Sequence, residues 1–150
     1  MAYASRRLAI PICLRLAECY YFQERYSDAE ACYQQVLKIF EQEYGPRHPT
    51  VAQSLNRLAI VAYLQGNFAV AEPLYLQVLN DFEQILGSEH LGVAQCLENL
   101  ATLYADQARY TEALPLYQRA CQIYQQYLEP THPQVIATRQ AYQQCQQQCT

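Results

Sequence analysis

Lysine is nearly missing from this chain of 150 residues: Lys38 is the only one, tryptophan is absent, and Met1 is the single methionine. Four glycines are too few for a turn-rich all-β protein or for a glycine-rich loop that cradles phosphate. Charged residues make up only 16%, with 10 basic against 14 acidic and a formal net charge of −4. That balance excludes a dedicated nucleic-acid binder, which needs a basic face. No apolar run approaches the roughly 18 residues that a membrane span requires. The longest, Leu8–Leu14 and Leu58–Leu64, are about a third of that length. Arg6-Arg7 ahead of Leu8–Leu14 imitates a secretory leader, but Pro11 interrupts the run, Arg15 closes it, and no small-residue cleavage site follows.

Paired-cysteine metal motifs are missing too. The seven cysteines (13, 19, 32, 96, 121, 145 and 149) include no CxxC, and the three histidines stand far apart along the chain. We expect free thiols acting as small hydrophobes in a cytoplasmic, reducing compartment, with no metal and no cofactor. Phosphate-loop, zinc-helix and nucleophile-elbow motifs are absent, and no pair of carboxylates faces a common cleft, so no catalytic residue is assigned and no enzyme is expected.

What the chain does have is apolar content (51%), fourteen tyrosines and a period. His48, His90 and His132 are spaced 42 residues apart and open the same frame: His48-Pro49-Thr50-Val51-Ala52, His90-Leu91-Gly92-Val93-Ala94 and His132-Pro133-Gln134-Val135-Ile136. At the same interval come Leu16-Ala17, Leu58-Ala59 and Leu100-Ala101. An aromatic (Tyr26, Phe68, Tyr110), an alanine (Ala29, Ala71, Ala113) and a tyrosine (Tyr33, Tyr75, Tyr117) follow in each unit. So many coincidences at one offset define an internal repeat. We divide the chain as a single domain of repeats 6–47, 48–89 and 90–131, with a capping helix over 132–150.

Each unit predicts two helices. Val51, Leu55, Leu58, Ala59 and Ala62 recur at helical spacing, as do Val93, Leu97, Leu100, Ala101 and Tyr104. Proline after His48 and His132 suits a first helical turn. Short turns are expected at Glu24-Arg25, Gly66-Asn67 and Ala108-Arg109. Ser27-Asp28-Ala29-Glu30 has capping-box form, so a second helix should open on Ser27. Pro73 and Pro115 fall early enough in their helices to be tolerated, whereas Pro11 makes the first helix start near Ile10 or kink there. Gly45 and Gly87 end helices, and Glu129-Pro130 demands another exit in the third unit. Neither helix of a pair can bury its apolar stripe alone, so neighbouring pairs must stack. The expected fold class is an all-α solenoid of about 3.5 helix-turn-helix units.

The Leu-Ala, aromatic, Ala and Tyr frame resembles the tetratricopeptide repeat (TPR). The 42-residue spacing, the His-Pro-x-Val-Ala start and Ala71-Glu72-Pro73-Leu74-Tyr75 resemble its kinesin-light-chain type. The resemblance implies a right-handed superhelix of roughly seven antiparallel helices, whose first helices line a concave groove that takes up a peptide segment of a partner protein. It places Arg15, Glu18 and Tyr21, then Gln53, Asn56, Arg57 and Tyr63, then Gln95, Glu98 and Asn99 in that groove. Arg15 and Arg57 stand one period apart, which suits a carboxylate-bearing, acidic partner; alternatively they bridge to Glu18 and Glu98. Of the carboxylate clamp found in co-chaperone versions of the fold, only fragments remain, with Leu14 and Glu18, Arg57, Gln95 and Asn99 at the matching positions.

The function expected from this reading is a non-enzymatic protein–protein interaction scaffold, with no nucleic-acid or membrane partner, as a monomer or weak homo-oligomer. Two alternatives stand beside it: a self-association module that stacks end on end, and a fragment of a larger TPR regulatory protein.

Overall fold

The computed structural model describes residues 2–150, with side chains from Leu8 onward. Among the described residues there are seven helices and no strand: α1 (Ala2–Phe22), α2 (Tyr26–Tyr44), α3 (Pro49–Leu64), α4 (Phe68–Leu86), α5 (Leu91–Asp106), α6 (Tyr110–Tyr127) and α7 (Pro133–Cys149). The all-α expectation is met. The helices group into two compact units, one ending at Leu74 and the other running from Tyr75 to Thr150. In the first, α2 packs on α1 and α3; in the second, α6 packs on α5 and α7.

The recurring histidines are helix caps. Nδ1 of His48 accepts a hydrogen bond from the Thr50 amide at 3.2 Å, His90 from Gly92 at 2.9 Å and His132 from Gln134 at 3.2 Å. Each has an extended backbone and satisfies one of the amides that a helix start leaves unpaired. This geometry needs an unprotonated Nδ1, so the ring serves as the acceptor that serine or aspartate usually supplies.

The turn inside each pair is built the same way three times. The amides of Arg25, Asn67 and Arg109 reach back to the carbonyls of Tyr20, Ala62 and Tyr104, all at 2.9 Å. Those of Glu24, Gly66 and Ala108 bond to Tyr21, Tyr63 and Ala105. This is the double hydrogen bond of a Schellman turn, which forces its central residue to positive φ. Gly66 adopts +74° without a Cβ penalty, whereas Glu24 and Ala108 are held at +58°.

Of the two alternatives at Pro11, the start near Ile10 is excluded: α1 begins at Ala2 and carries Pro11 within it. A second expectation is corrected outright. The Ser27 capping box does not form. α2 begins at Tyr26, which puts Ser27 inside the helix, and Arg25 is the N-cap with no side-chain cap bond. The Schellman turn fixes that start, because its last residue is already the next helix's N-cap. Arg25 instead holds Asp28 at 2.7 Å and lies over the Tyr20 ring at 4.4 Å. Two periods later Arg109 does the same with Glu112 at 2.6 Å and the Tyr104 ring at 4.2 Å. The other punctuation agrees with expectation. α4 and α6 run through Pro73 and Pro115, Gly45 and Gly87 take φ of +82° and +92° at helix ends, and α6 leaves through an extended Leu128.

The core of the first unit is Ala17, Ala29, Tyr33, Leu58 and Val61, with Leu14, Tyr20 and Leu74 against it. In the second unit Val93, Leu97, Leu100, Ala113, Tyr117, Ile123 and Val135 are buried. Ala17, Ala59 and Ala101 have no exposed surface, so the small residue at this recurring position marks a close helix approach. The cysteines are all free, and burial pushes the Cys96 thiol up to about 12, leaving it an inert core group that donates to the Tyr75 carbonyl.

Candidate functional site: the α1–α2–α3 pocket

Three helices meeting at their polar edges leave a pocket in the first unit. Its volume is ≈ 460 Å³, and it is lined by Glu18, Tyr21 and Phe22 of α1, Tyr33 of α2, and Asn56, Arg57 and Ile60 of α3. The helical period explains the grouping: Tyr21 and Phe22 lie three and four residues after Glu18 on α1, and Ile60 lies three and four after Arg57 and Asn56 on α3.

The charges in this pocket are paired. Arg57 Nη1 donates to Glu18 Oε1 at 2.9 Å and to the Tyr33 hydroxyl at 3.5 Å, and the guanidinium lies 5.7 Å from the Tyr33 ring centre. Partial burial works against the Arg57 charge, but the bonds to Glu18 and Tyr33 outweigh it, and its pKa lies above the ordinary value. The Arg57 and Glu18 side chains remain 43% and 45% exposed, so a ligand can reach both. Solvent screening at that exposure keeps such a pair's worth at no more than about 1 kcal/mol. Beside it, Asn56 Oδ1 is buried and has no hydrogen-bond donor. Phe22, in contrast, is 82% exposed.

Of the ten groove residues expected from the sequence, the pocket brings together Glu18, Tyr21, Asn56 and Arg57. Arg15 and Gln53 are exposed elsewhere on α1 and α3, and Tyr63 tilts against Phe68 at 5.8 Å between ring centres. In the second unit Gln95 lines a shallow pocket of ≈ 230 Å³ with Tyr124 and Gln134. Glu98 there is taken up by the protein. Its carboxylate accepts from the Tyr124 hydroxyl at 3.0 Å, the Thr138 hydroxyl at 2.9 Å and the Gln134 amide. It staples α5 to α6 and α7, so the bridge to Glu18 forms while Glu98 serves its own unit. Asn99 keeps a buried Nδ2 without an acceptor. Sequence reasoning missed Phe22 and Tyr33 as walls. Phe22 follows Tyr21 at the end of α1, where an aromatic just before a turn was readable as an exposed ring.

Among the described residues no group of three His, Cys, Asp or Glu side chains is placed to hold a metal ion. None of the described helices is long and apolar enough to cross a membrane.

The chain matches the tetratricopeptide repeat model over residues 10–84, 51–126 and 97–148. No curated protein matches it. Among solved structures, the nearly identical TPR-like repeats of a Podosopora anserina protein assigned as a kinesin light chain share 24% identity. The TM-score is 0.83, over 96% of this chain and 67% of that one. BtubC (BKLC) from P. vanneervenii is also 24% identical, with a TM-score of 0.77 over 95% of this chain, which spans only 61% of that one. The Sgt2 TPR domain from Aspergillus fumigatus is more distant, at 14% identity and a TM-score of 0.66 over 93% of this chain and 78% of its own. In fold the repeats are thus of the kinesin-light-chain type. From residue 10 to residue 148 the chain belongs to the tetratricopeptide repeat family.

Proposed function

We propose that this chain is a non-enzymatic scaffold that binds a peptide segment of a partner protein, and that the α1–α2–α3 pocket receives an acidic, partly apolar stretch of it. Tetratricopeptide repeats generally mediate protein–protein interaction, which sets the class. The observation that carries the finer reading is the pocket's mixture of groups. An exposed Phe22 and a half-buried Ile60 offer an apolar seat, Arg57 offers charge, and the buried Asn56 Oδ1 has no donor of its own. A carboxylate arriving at Arg57 exchanges with Glu18 at little cost, because the resident pair is half-exposed. An incoming peptide N–H satisfies Asn56, and an unsatisfied buried acceptor of this kind gives back about 1–3 kcal/mol when paired. The chain is read as the repeats 6–47, 48–89 and 90–131 with the helix over 132–150. In the first unit Arg15, Gln53 and Tyr63 are further contacts for the peptide, and in the second unit Gln95 and Asn99 are candidate contacts of their own.

The test is selection of a random peptide library on the immobilised chain, followed by titration of the selected peptides by fluorescence anisotropy. Acidic sequences should be enriched, and Arg57→Ala should weaken them roughly tenfold, while Arg47→Ala on the exposed loop before α3 should not. Peptides that bind wild type and Arg57→Ala equally would place the interaction elsewhere and end this reading.

A further inference from the structure

The solvent side of α1 carries an apolar stripe. Leu8, Ile12, Leu16, Cys19 and Phe22 recur at helical spacing, and all are exposed. One repeat on, the counterparts of Ile12, Leu16 and Cys19 are Ser54, Leu58 and Val61 of α3, and all three are buried. Leu58 and Val61 share a core with Ala29 and Tyr33 of α2, so α2 covers this face of α3. The next counterparts, Cys96, Leu100 and Leu103 of α5, are buried as well. Leu16 is thus 42% exposed where Leu58 is 8% and Leu100 is 1%.

An exposed helix face need not be apolar in this chain. α7 turns Gln140, Gln143 and Gln147 outward, a surface that water satisfies. On α1 the solvent meets a contiguous apolar row with one charge, Arg15, midway along it. Among the described residues Arg15 makes no hydrogen bond or ion pair, whereas Arg57, its counterpart on α3, has Glu18 and the Tyr33 hydroxyl. Charge then decides what fits. A second copy laid antiparallel along the stripe would set two Arg15 side chains against each other, because residue 15 is the midpoint between Leu8 and Phe22. An acidic helix brings the opposite charge to that point.

We propose that this face of α1 docks an amphipathic, acidic helix of a partner protein, packed as α2 packs on α3. A small residue and a tyrosine four apart, as at Ala29 and Tyr33, lie on Leu16 and Cys19, and a carboxylate meets Arg15. The face touches the pocket only at its edge, at Phe22, and its docking does not rest on what the pocket receives.

The probe is a capped, fluorescent peptide with the sequence of α2, residues 26–44, which carries that pattern and four acidic residues against Lys38. Its Cys32 is replaced by serine to prevent disulfide exchange. A helix of 19 residues is marginal alone in water, so docking on the full chain should raise both the anisotropy of the label and the helical circular dichroism of the mixture. Ile12→Gln and Leu8→Gln, both at exposed positions, should each weaken binding about fivefold. Arg15→Glu should weaken it about tenfold, and Arg57→Ala in the pocket should leave it unchanged. Circular dichroism of each variant alone checks that it has folded. No rise in either signal, equal binding of a scrambled peptide, full binding by folded Ile12→Gln, or loss of binding in Arg57→Ala would each overturn the proposal. Sedimentation of the chain alone adds one more such outcome: a dimer that Ile12→Gln dissolves would assign the face to a second copy instead.

Discussion

One helical turn separates two fates for a carboxylate on the first helix of a repeat. In the first unit Glu18 faces the pocket and pairs with Arg57, while Leu14, a turn earlier, lies against the core. In the second unit the residues two periods on are Thr102 and Glu98, and the roles are exchanged. Thr102 makes a neutral contact with the Tyr117 hydroxyl, and Glu98 lies where Leu14 did, ringed by donors from α6 and α7. The surrounding residues have changed with it: Phe40 and Ser54 of the first unit become Tyr124 and Thr138. A charge that points outward remains available to a partner, whereas one a turn earlier must be satisfied by the fold itself. That difference explains why the Arg57 pair is a poor stability element and the Glu98 cluster a strong one.

The largest effect should come from making the second unit resemble the first at this position. Glu98→Leu leaves the nearly buried Tyr124 hydroxyl without an acceptor, and Thr138 with only the Gln134 carbonyl. An unsatisfied buried group costs about 1–3 kcal/mol, so the urea midpoint should fall by a corresponding amount. Adding Tyr124→Phe, again the residue of the first unit, should recover much of the loss, because removing both partners is nearly neutral. A double variant no more stable than the single one would show that the cluster does not act as a hydrogen-bonded unit.

The cluster also marks the boundary of what the sequence discloses. The helix pairs, their turns and the family were legible because period and helical spacing are local, and three copies of a frame reinforce one another. By sequence Glu98 reads as a ligand residue, because the family resemblance puts its register position in the groove. Its three donors come from Tyr124, Gln134 and Thr138, as many as 40 residues away in the chain, and no local pattern announces them. Ser27 misled for the opposite reason. A strong local motif was present, but the Schellman turn before it had already fixed the helix start. Arg25 and Asp28, repeated as Arg109 and Glu112 two periods later, were the better signal. The pocket was half legible: Glu18, Tyr21, Asn56 and Arg57 were named, and the rings of Phe22 and Tyr33 that wall it were not.

A smaller effect is expected at the turns, where the two units are alike. Glu24 and Ala108 both sit at φ +58°, the conformation that Gly66 adopts at +74° in the turn between them in sequence. Ala108→Gly and Glu24→Gly should each raise stability by about 0.5–1 kcal/mol, since release from left-handed strain exceeds the added freedom of the unfolded chain. Gly66→Ala should lower it by a similar amount. Thermal unfolding of the three variants separates conformational strain from side-chain contacts. If Ala108→Gly destabilises, the alanine methyl is contributing more than its backbone costs.

The smallest effect concerns the arginine clip at the start of α6. The bonds from Arg109 lower the pKa of Glu112 against its ordinary 4.5. A carboxylate with a lowered folded pKa binds its proton more readily in the unfolded chain, so its stabilisation is complete above pH 4.5 and is lost as pH falls through the folded value. The Glu112 side chain is half-exposed, so the change should be slight and should shrink further in high salt. Glu112→Gln should remove that part of the acid dependence while leaving the pH 7 unfolding midpoint nearly unchanged. An acid profile identical to wild type would mean that the clip only orients Arg109 over Tyr104, with the ring contact and not the ion pair holding the start of the helix.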